Sequence, residues 1–325
     1  IFNFVLAFGI FLAVILVTGL PQDRPIVGVV HPMPNVTLLQ KGDVILGVND
    51  QATPDFKTYL ALASKLPAAP TVSYHIQRGD QTIDVVSAHP MPALVGAVYP
   101  KNAGMAAGIK LGDVVLSVNG QPVSAFAELP PMVEASKGAP VNLVIWRADG
   151  ETGGQEIALT LTPNRRDLPK ADGSFETRWL VGLSSGLLFD PQTRQAGLFE
   201  AAQMAANQVW SVLSGSLSGM IHLVRGDISS CNLSGPVGLA GAMGDAARSG
   251  LASFVSMLAV VSLGVGLLNL FPVPVLDGGH LVFFAYEAIT GRKPNPKVLN
   301  VAVAIGLALI LALTVFALGN DLTCS

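Results

Sequence analysis

The sequence predicts a multi-domain membrane protein, an α-helical transmembrane bundle with two inserted α+β domains. Three observations predict it. Charge-free apolar runs occupy residues 1 to 20 and 298 to 318. Residues 21 to 190 regain charge, Gly and Pro and break into short alternating runs. Within them, "KGDVILGVNDQ" (41–51) recurs as "LGDVVLSVNGQ" (111–121). Composition agrees: 50% of the 325 residues are apolar and only 13% charged, with a mean hydropathy of +0.53, too apolar for one soluble domain. The formal net charge is −3 and no basic run occurs, which argues against a nucleic-acid partner.

Residues 1 to 20, "IFNFVLAFGIFLAVILVTGL", are long enough to span the bilayer's hydrocarbon core, about 30 Å at 1.5 Å per residue. A signal peptide would have a basic flank and a shorter apolar core. Asn3 is the one strongly polar side chain in this run. Ile1 opens the chain inside an apolar run, so a segment upstream of it is expected.

The repeat predicts two tandem small domains, residues 21 to 90 and 91 to 190. Gly42/Gly112, Asp43/Asp113, Asn49/Asn119, Gln51/Gln121 and Phe56/Phe126 all keep an offset of 70. Each Gly-Asp closes a turn before a strand rich in β-branched residues. Asn49-Asp50 and Asn119-Gly120 suit hairpin turns, because Asn, Asp and Gly tolerate positive φ. "NAGMAAGIKLGD" (102–113) adds a short Ala-rich helix stopped by Gly108 or by the turn at 110 to 112.

Residues 191 to 250 predict interfacial amphipathic helices, with Trp210, Leu213, Met220 and Leu223 towards lipid or protein, followed by a Gly/Ser-rich connecting loop at 231 to 250. Residues 251 to 290 form a broken transmembrane segment and 298 to 318 a last span. Between these spans "TGRKPNPK" holds Arg292, Lys293 and Lys297, which places that loop in the cytoplasm and the 21 to 250 region in a periplasm-like compartment. Cys231 and Cys324 have no metal-type spacing; one bridge and two free thiols both stay open.

The break in the third apolar region, "NLFPVPVLDGGH" (269–280), carries the chemistry. Pro272 and Pro274 remove backbone donors and push the residues before them out of helix. Irregular backbone at membrane depth is tolerated only when buried in protein or lining a wet cavity. Asp277 costs about 2.5–3.5 kcal/mol at that depth. It is therefore expected to have a compensating partner. One candidate is the N-terminus of the following helix, a cap worth about 1 kcal/mol. The other is a metal cation, since zinc accepts carboxylate oxygen directly.

The stretch from 99 to 121 resembles the PDZ family, and 30 to 60 resembles it more loosely. The resemblance implies PDZ-like α+β domains that bind peptide C-termini by strand addition. "RWLVGLSS" (178–185) looks like the late carboxylate-binding loop of the circularly permuted bacterial type, which puts Leu180, Val181, Gly182 and Leu183 at a peptide site. The first copy has no clear counterpart.

"NLFPVPVLDGGHLVF" resembles the N-x-x-P-x-P-x-L-D-G motif of the site-2 protease family, intramembrane zinc metalloproteases, and the order of parts along nearly the whole chain resembles that family too. The resemblance implies that Asp277 is a Zn2+ ligand and that Asn269 is catalytic, holding the substrate or the oxyanion; Asn3 resembles a further Asn near the centre. It implies a multi-pass protein of the bacterial inner membrane, with periplasmic PDZ-like domains and the lipid bilayer as its setting. The substrate would be a single-span membrane protein, such as an anti-sigma factor or a remnant signal peptide, cut in regulated intramembrane proteolysis. The family's H-E-x-x-H pair is absent: His31, His75, His89, His222 and His280 include no pair at that spacing. The two other zinc ligands are expected upstream of Ile1, and the chain alone is expected to be inactive. A membrane-anchored PDZ adaptor without catalysis and a transporter with broken helices are the competing readings.

Overall fold

The computed structural model describes residues 1–35, 37–99, 102–150, 153–170, 175–228, 235–248, 250–292 and 295–323. Both cysteines, Cys231 and Cys324, lie outside the described residues. The chain divides into two compact units, one of Gly19–Gln195 and one of Ile1–Thr18 with Ala196–Ser325.

Helix α1 (Phe2–Thr18) precedes the first unit. In that unit the first repeat copy contributes β1 (Leu20–Pro21), β2 (Val27–Val30), β3 (Val44–Val48), β4 (Gln51–Ala52), α2 (Phe56–Ala63), β5 (Thr71–Arg78) and β6 (Gln81–Ala88). The second contributes β7 (Val95–Val98), α3 (Ala103–Ala106), β8 (Val114–Val118), β9 (Gln121–Pro122), α4 (Leu129–Ala135), β10 (Val141–Asp149) and β11 (Gly153–Leu161). After them come β12 (Asn164–Pro169), β13 (Phe175–Leu180), β14 (Leu183–Ser185), β15 (Phe189–Pro191) and β16 (Thr193–Arg194). The two copies build the same antiparallel sheet, in the order β4-β3-β5-β6 and β9-β8-β10-β11.

The repeated residues explain the repeated fold. Asn49 and Asp50 have φ of 45° and 62°, and Asn119 and Gly120 have 49° and 79°. Both pairs therefore make the two-residue hairpin turn whose twist matches the strands. Each Asn also reaches across: Asn49 Oδ1 accepts from Ser73 N at 3.0 Å, and Asn119 Oδ1 from Asn142 N at 2.9 Å. Asp43 and Asp113 are each 1% exposed. Asp43 accepts from Arg78 Nε and Nη2 at 2.8 and 2.7 Å; Asp113 accepts from Arg147 through the same atoms at 2.7 Å each. Each carboxylate also accepts a backbone N–H of its own turn, from Gln40 and Lys110, at 2.7 Å. The two arginines escaped the sequence reading, although each stands at or near the end of a strand just before a Gly-containing turn.

Arg147→Ala is expected to destabilise the second copy by about 3 kcal/mol, because it leaves a buried carboxylate unpaired. Chemical unfolding followed through Trp146 and Trp179 measures this, and a loss under about 0.5 kcal/mol, the usual surface range, would refute it.

The copies are not cut at residue 90. Leu188 and Phe189, beyond the second copy, lie fully buried in the first copy's core with Ile45, Tyr59, Tyr74 and Ile76. Strand β15 pairs with β2 (Phe189↔Val30), just as β14 pairs with β7 (Leu183↔Val98). The second copy is thus inserted into the first, which corrects the expected division into 21–90 and 91–190. Both pairings carry a register shift that drives a carbonyl onto a glycine. A Cβ on Gly28 would lie 2.8 Å from the Asp190 carbonyl, and one on Gly96 would strike the Ser185 carbonyl.

His89 follows β6 and is 2% exposed. Its Nδ1 accepts from Met91 N at 3.1 Å, and its Nε2 finds no hydrogen-bond partner among the described residues. Burial holds this imidazole below its ordinary value, against a smaller opposing pull from hydrogen bonding and Glu128. The unfolded chain therefore takes up the proton first. His89 leaves stability intact above its unfolded pKa of about 6.5 and lowers it as the pH falls from there through the folded value. His89→Gln is expected to flatten that decline in melting curves recorded from pH 7.5 to 5; an unchanged slope would exclude His89 as its source.

The second unit is helical. Helix α5 (Leu198–Arg225) is one continuous element of 28 residues, ended by Gly226 in the left-handed region at φ 78°. Its Ala201 and Ala205 are fully buried. Ala205 lies against Ala7 and Phe11 of α1 and Ala259 and Leu263 of α7 (Leu251–Asn269). Small side chains let these helices approach closely.

Residues 236 to 248 correct the connecting-loop reading of 231 to 250: they form α6 (Pro236–Arg248). Pro at the first position suits a helix start, and the cap is remote. Asp321 of α9 (Pro296–Thr323) accepts from Gly235, Val237 and Gly238 N at 2.9, 2.9 and 3.0 Å. Between α7 and α9 lies α8 (Asp277–Thr290). Among the described residues two helices, Leu251–Asn269 and Pro296–Leu322, are long and apolar enough to cross a membrane; Phe2–Thr18 is apolar but shorter.

Candidate active site

The prolines break the helix where the sequence places them. Helix α7 ends at Asn269, and the chain tightens through Leu270 N to Leu267 O and Phe271 N to Leu268 O, each 3.1 Å. A second turn closes from Leu276 N to Val273 O at 2.8 Å, and α8 then starts at Asp277. The loop lies directly on the first turn of α8. A Cβ on Gly278 would strike the Phe271 carbonyl, and one on Gly279 the Val273 carbonyl. The double glycine of "LDGG" therefore gives the loop its close approach. The last helix abuts the same loop: a Cβ on Gly306 would meet Val275, Pro274 and Val273 side-chain atoms at 3.1 to 3.3 Å.

The geometry bears on one of the two partners open for Asp277, the helix cap. The N-cap of α8 is Leu276, in extended conformation at φ −100° and ψ 162°, with no side-chain capping bond. Asp277 is the first helical residue, exposed, and its carboxylate makes no hydrogen bond or ion pair among the described residues. It is not a cap. Neither carboxylate oxygen has a hydrogen-bond partner among the described residues.

Asn269 stands on the other side of the loop as the last residue of α7, half-buried. Gly266, one turn earlier, faces Asn3: a Cβ there would lie 3.1 Å from Asn3 Cβ, and Ser262 Oγ donates to Asn3 O at 3.2 Å. Asn3 is thereby held against the turn of α7 before Asn269. His280 lies one turn after Asp277 on α8 and is exposed. No three His, Cys, Asp or Glu side chains gather into a metal-holding group among the described residues. The break therefore offers one free carboxylate and one amide across a glycine-tight loop.

Comparison with known proteins gives this arrangement its context. The model of peptidase family M50 matches residues 1–313. The chain belongs to peptidase family M50. A relative in Vibrio cholerae, named as a zinc metalloprotease, is 30% identical over 355 residues, covering 99% of this chain and 76% of that protein. The "Regulator of sigma-E protease RseP" of Salmonella typhimurium is 30% identical over 351 residues, covering 98% of this chain and 75% of that protein. A further relative in Rhizobium meliloti, also named as a zinc metalloprotease, is 34% identical over 230 residues, 70% of this chain and 60% of its own length.

In this M50 peptidase the loop at 180 to 183 is tied into the second copy. Leu180 ends β13, Val181 is buried in the second core, and Leu183 opens β14. Val181 O accepts from Gly104 N and Gly182 O from Tyr99 N, each at 2.8 Å. Gly182, at φ 73°, lies so close to Asn102 that a Cβ would collide with it. Trp179 N donates to Glu134 Oε2 of α4 at 2.8 Å, which draws β13 onto that helix. The first copy does have a counterpart strand, β15, which sequence inspection missed because it arrives from beyond the second copy.

Proposed function

We propose that this M50 peptidase cuts single-span membrane proteins within the bilayer, with zinc held in part by Asp277. Substrates such as anti-sigma factors or remnant signal peptides place it in regulated intramembrane proteolysis at a bacterial inner membrane. The observation that carries the reading is the Asp277 carboxylate, without a partner among the described residues, at the start of α8 in the break that follows the apolar helix α7. A carboxylate at membrane depth needs a compensating charge, and a divalent cation provides one.

The donor set fits zinc in part. An exposed carboxylate with both oxygens free is a proper ligand, but a catalytic zinc takes three protein ligands. Residues 1 to 325 contain no two histidines at i and i+4. The remaining ligands are assigned to an H-E-x-x-H helix outside this sequence. When bound, the metal supplies a water acidic enough to attack a peptide carbonyl at neutral pH. The parts assigned to this chain are narrower: Asp277 anchors the metal, Asn269 donates its amide to the substrate carbonyl, and the loop between them keeps the two aligned. The two repeat domains act as periplasmic PDZ-like modules, in which residues 180 to 183 receive a peptide C-terminus.

Metal removal tests the reading. Cleavage of a single-span reporter by the full-length protein in membranes is expected to stop with a zinc chelator and to return on zinc addition. Cleavage indifferent to chelation overturns the reading.

A further inference from the structure

A groove of about 500 Å³ runs along α5 beside α1 and α7. Its floor is one helical stripe, Trp210, Leu213, Leu217 and Ile221, and its far wall is Phe4, Leu267 and Leu270. Ser218, His222 and Arg225 close one end. His222 is engaged, with Nδ1 2.8 Å from Asp227 Oδ2. Arg225 makes no hydrogen bond or ion pair among the described residues. Trp210, Leu217 and Ile221 are exposed, Trp210 at 72%, while Leu213 packs against the helical core. The groove is thus an apolar slot ending in an uncompensated guanidinium.

We propose that this groove holds one anionic phospholipid, an acyl chain along the α5 stripe and the headgroup phosphate on Arg225, with Ser218 as a second donor. Charge selects this occupant. An apolar slot that ends in a cation with no partner among the described residues suits an acyl chain joined to a phosphate, whereas a substrate helix offers no fixed anion at the arginine. Arg is suited to the phosphate because its planar fork donates two parallel hydrogen bonds. The site adjoins Leu270, next to Asn269, so the lipid would also close off the side of the helix break. The inference rests on the helical unit being membrane-embedded, but not on proteolysis.

The test is native mass spectrometry of the full-length protein released from nanodiscs of mixed phosphatidylglycerol and phosphatidylcholine. One phosphatidylglycerol is expected to stay bound. Arg225→Gln should weaken its retention about tenfold, the size of one charge-assisted contact, and Arg225→Lys should keep most of it. Leu217→Trp, which fills the slot and leaves the cation, should also lose the lipid. Equal retention by wild type and Arg225→Gln overturns the proposal. So does displacement by inorganic phosphate, which marks a free-phosphate site. Photolabelling of Leu217 by a single-span peptide rather than by an acyl-chain probe overturns it in favour of a peptide groove. Extraction of the protein by alkaline carbonate defeats the membrane reading instead, and so separates the two failures.

Discussion

Asp277→Asn is expected to remove proteolysis and to leave the fold intact. The carboxylate touches no donor among the described residues, so the folded state loses only its interaction with the α8 dipole, about 0.3–1 kcal/mol. If Asp277 holds zinc, the functional loss is far larger. Losing a residue that merely orients a ligand costs about 10–100-fold in metal affinity or activity, and losing the ligand itself should exceed that. Two measurements on one preparation check this, reporter cleavage with zinc per chain and the melting temperature in detergent. Retained zinc with retained cleavage removes Asp277 from the metal site. A large drop in melting temperature would instead make it a structural residue. The asymmetry between the two readouts is the signature of a group placed for chemistry at little structural gain.

Gly279→Ala tests the opposite property, a residue that holds the site together and takes no part in chemistry. Helix propensity alone predicts a gain of about 1 kcal/mol for Gly to Ala inside a helix. Packing predicts a loss, because the added Cβ would collide with the Val273 carbonyl and lie 2.5 Å from Pro274 Cα. These are backbone atoms and cannot swing aside. Overpacking of this kind costs about 1–3 kcal/mol, and relieving it shifts the loop that separates Asn269 from Asp277. Cleavage should fall with stability. Gly264→Ala on α7 is the control, since nothing lies within 4 Å of a Cβ there, and it should be neutral or slightly stabilising. Two alanines with the same sign of effect would show that the loop does not press on α8.

Features set by a few neighbouring residues were legible in advance. The hairpin turns at 49–50 and 119–120 follow from Asn, Asp and Gly at positions that need positive φ, and the structure has those angles. The helix break follows from Pro272 and Pro274. The free state of Asp277 was not legible. An Asp at a helix start can read as a cap as well as a ligand, and the difference of one position, Leu276 at the cap, comes from how the loop closes.

What this sequence determined by itself is the inventory: apolar helices, two copies of one strand-turn-strand pattern, and a carboxylate at a proline-broken helix. Those properties reside in local torsional preference and in hydrophobic runs, which depend on neighbours in the chain. Only the tertiary structure decided the rest. The second copy sits inside the first because Phe189 buries in a core begun by Val27. Residues 236 to 248 are helical because Asp321, 83 to 86 residues away, accepts their first amides. The aspartates of the repeat are neutralised by Arg78 and Arg147, 35 and 34 residues distant. Each of these is a contact whose energy exists only once distant segments meet, so no window of the sequence contains it.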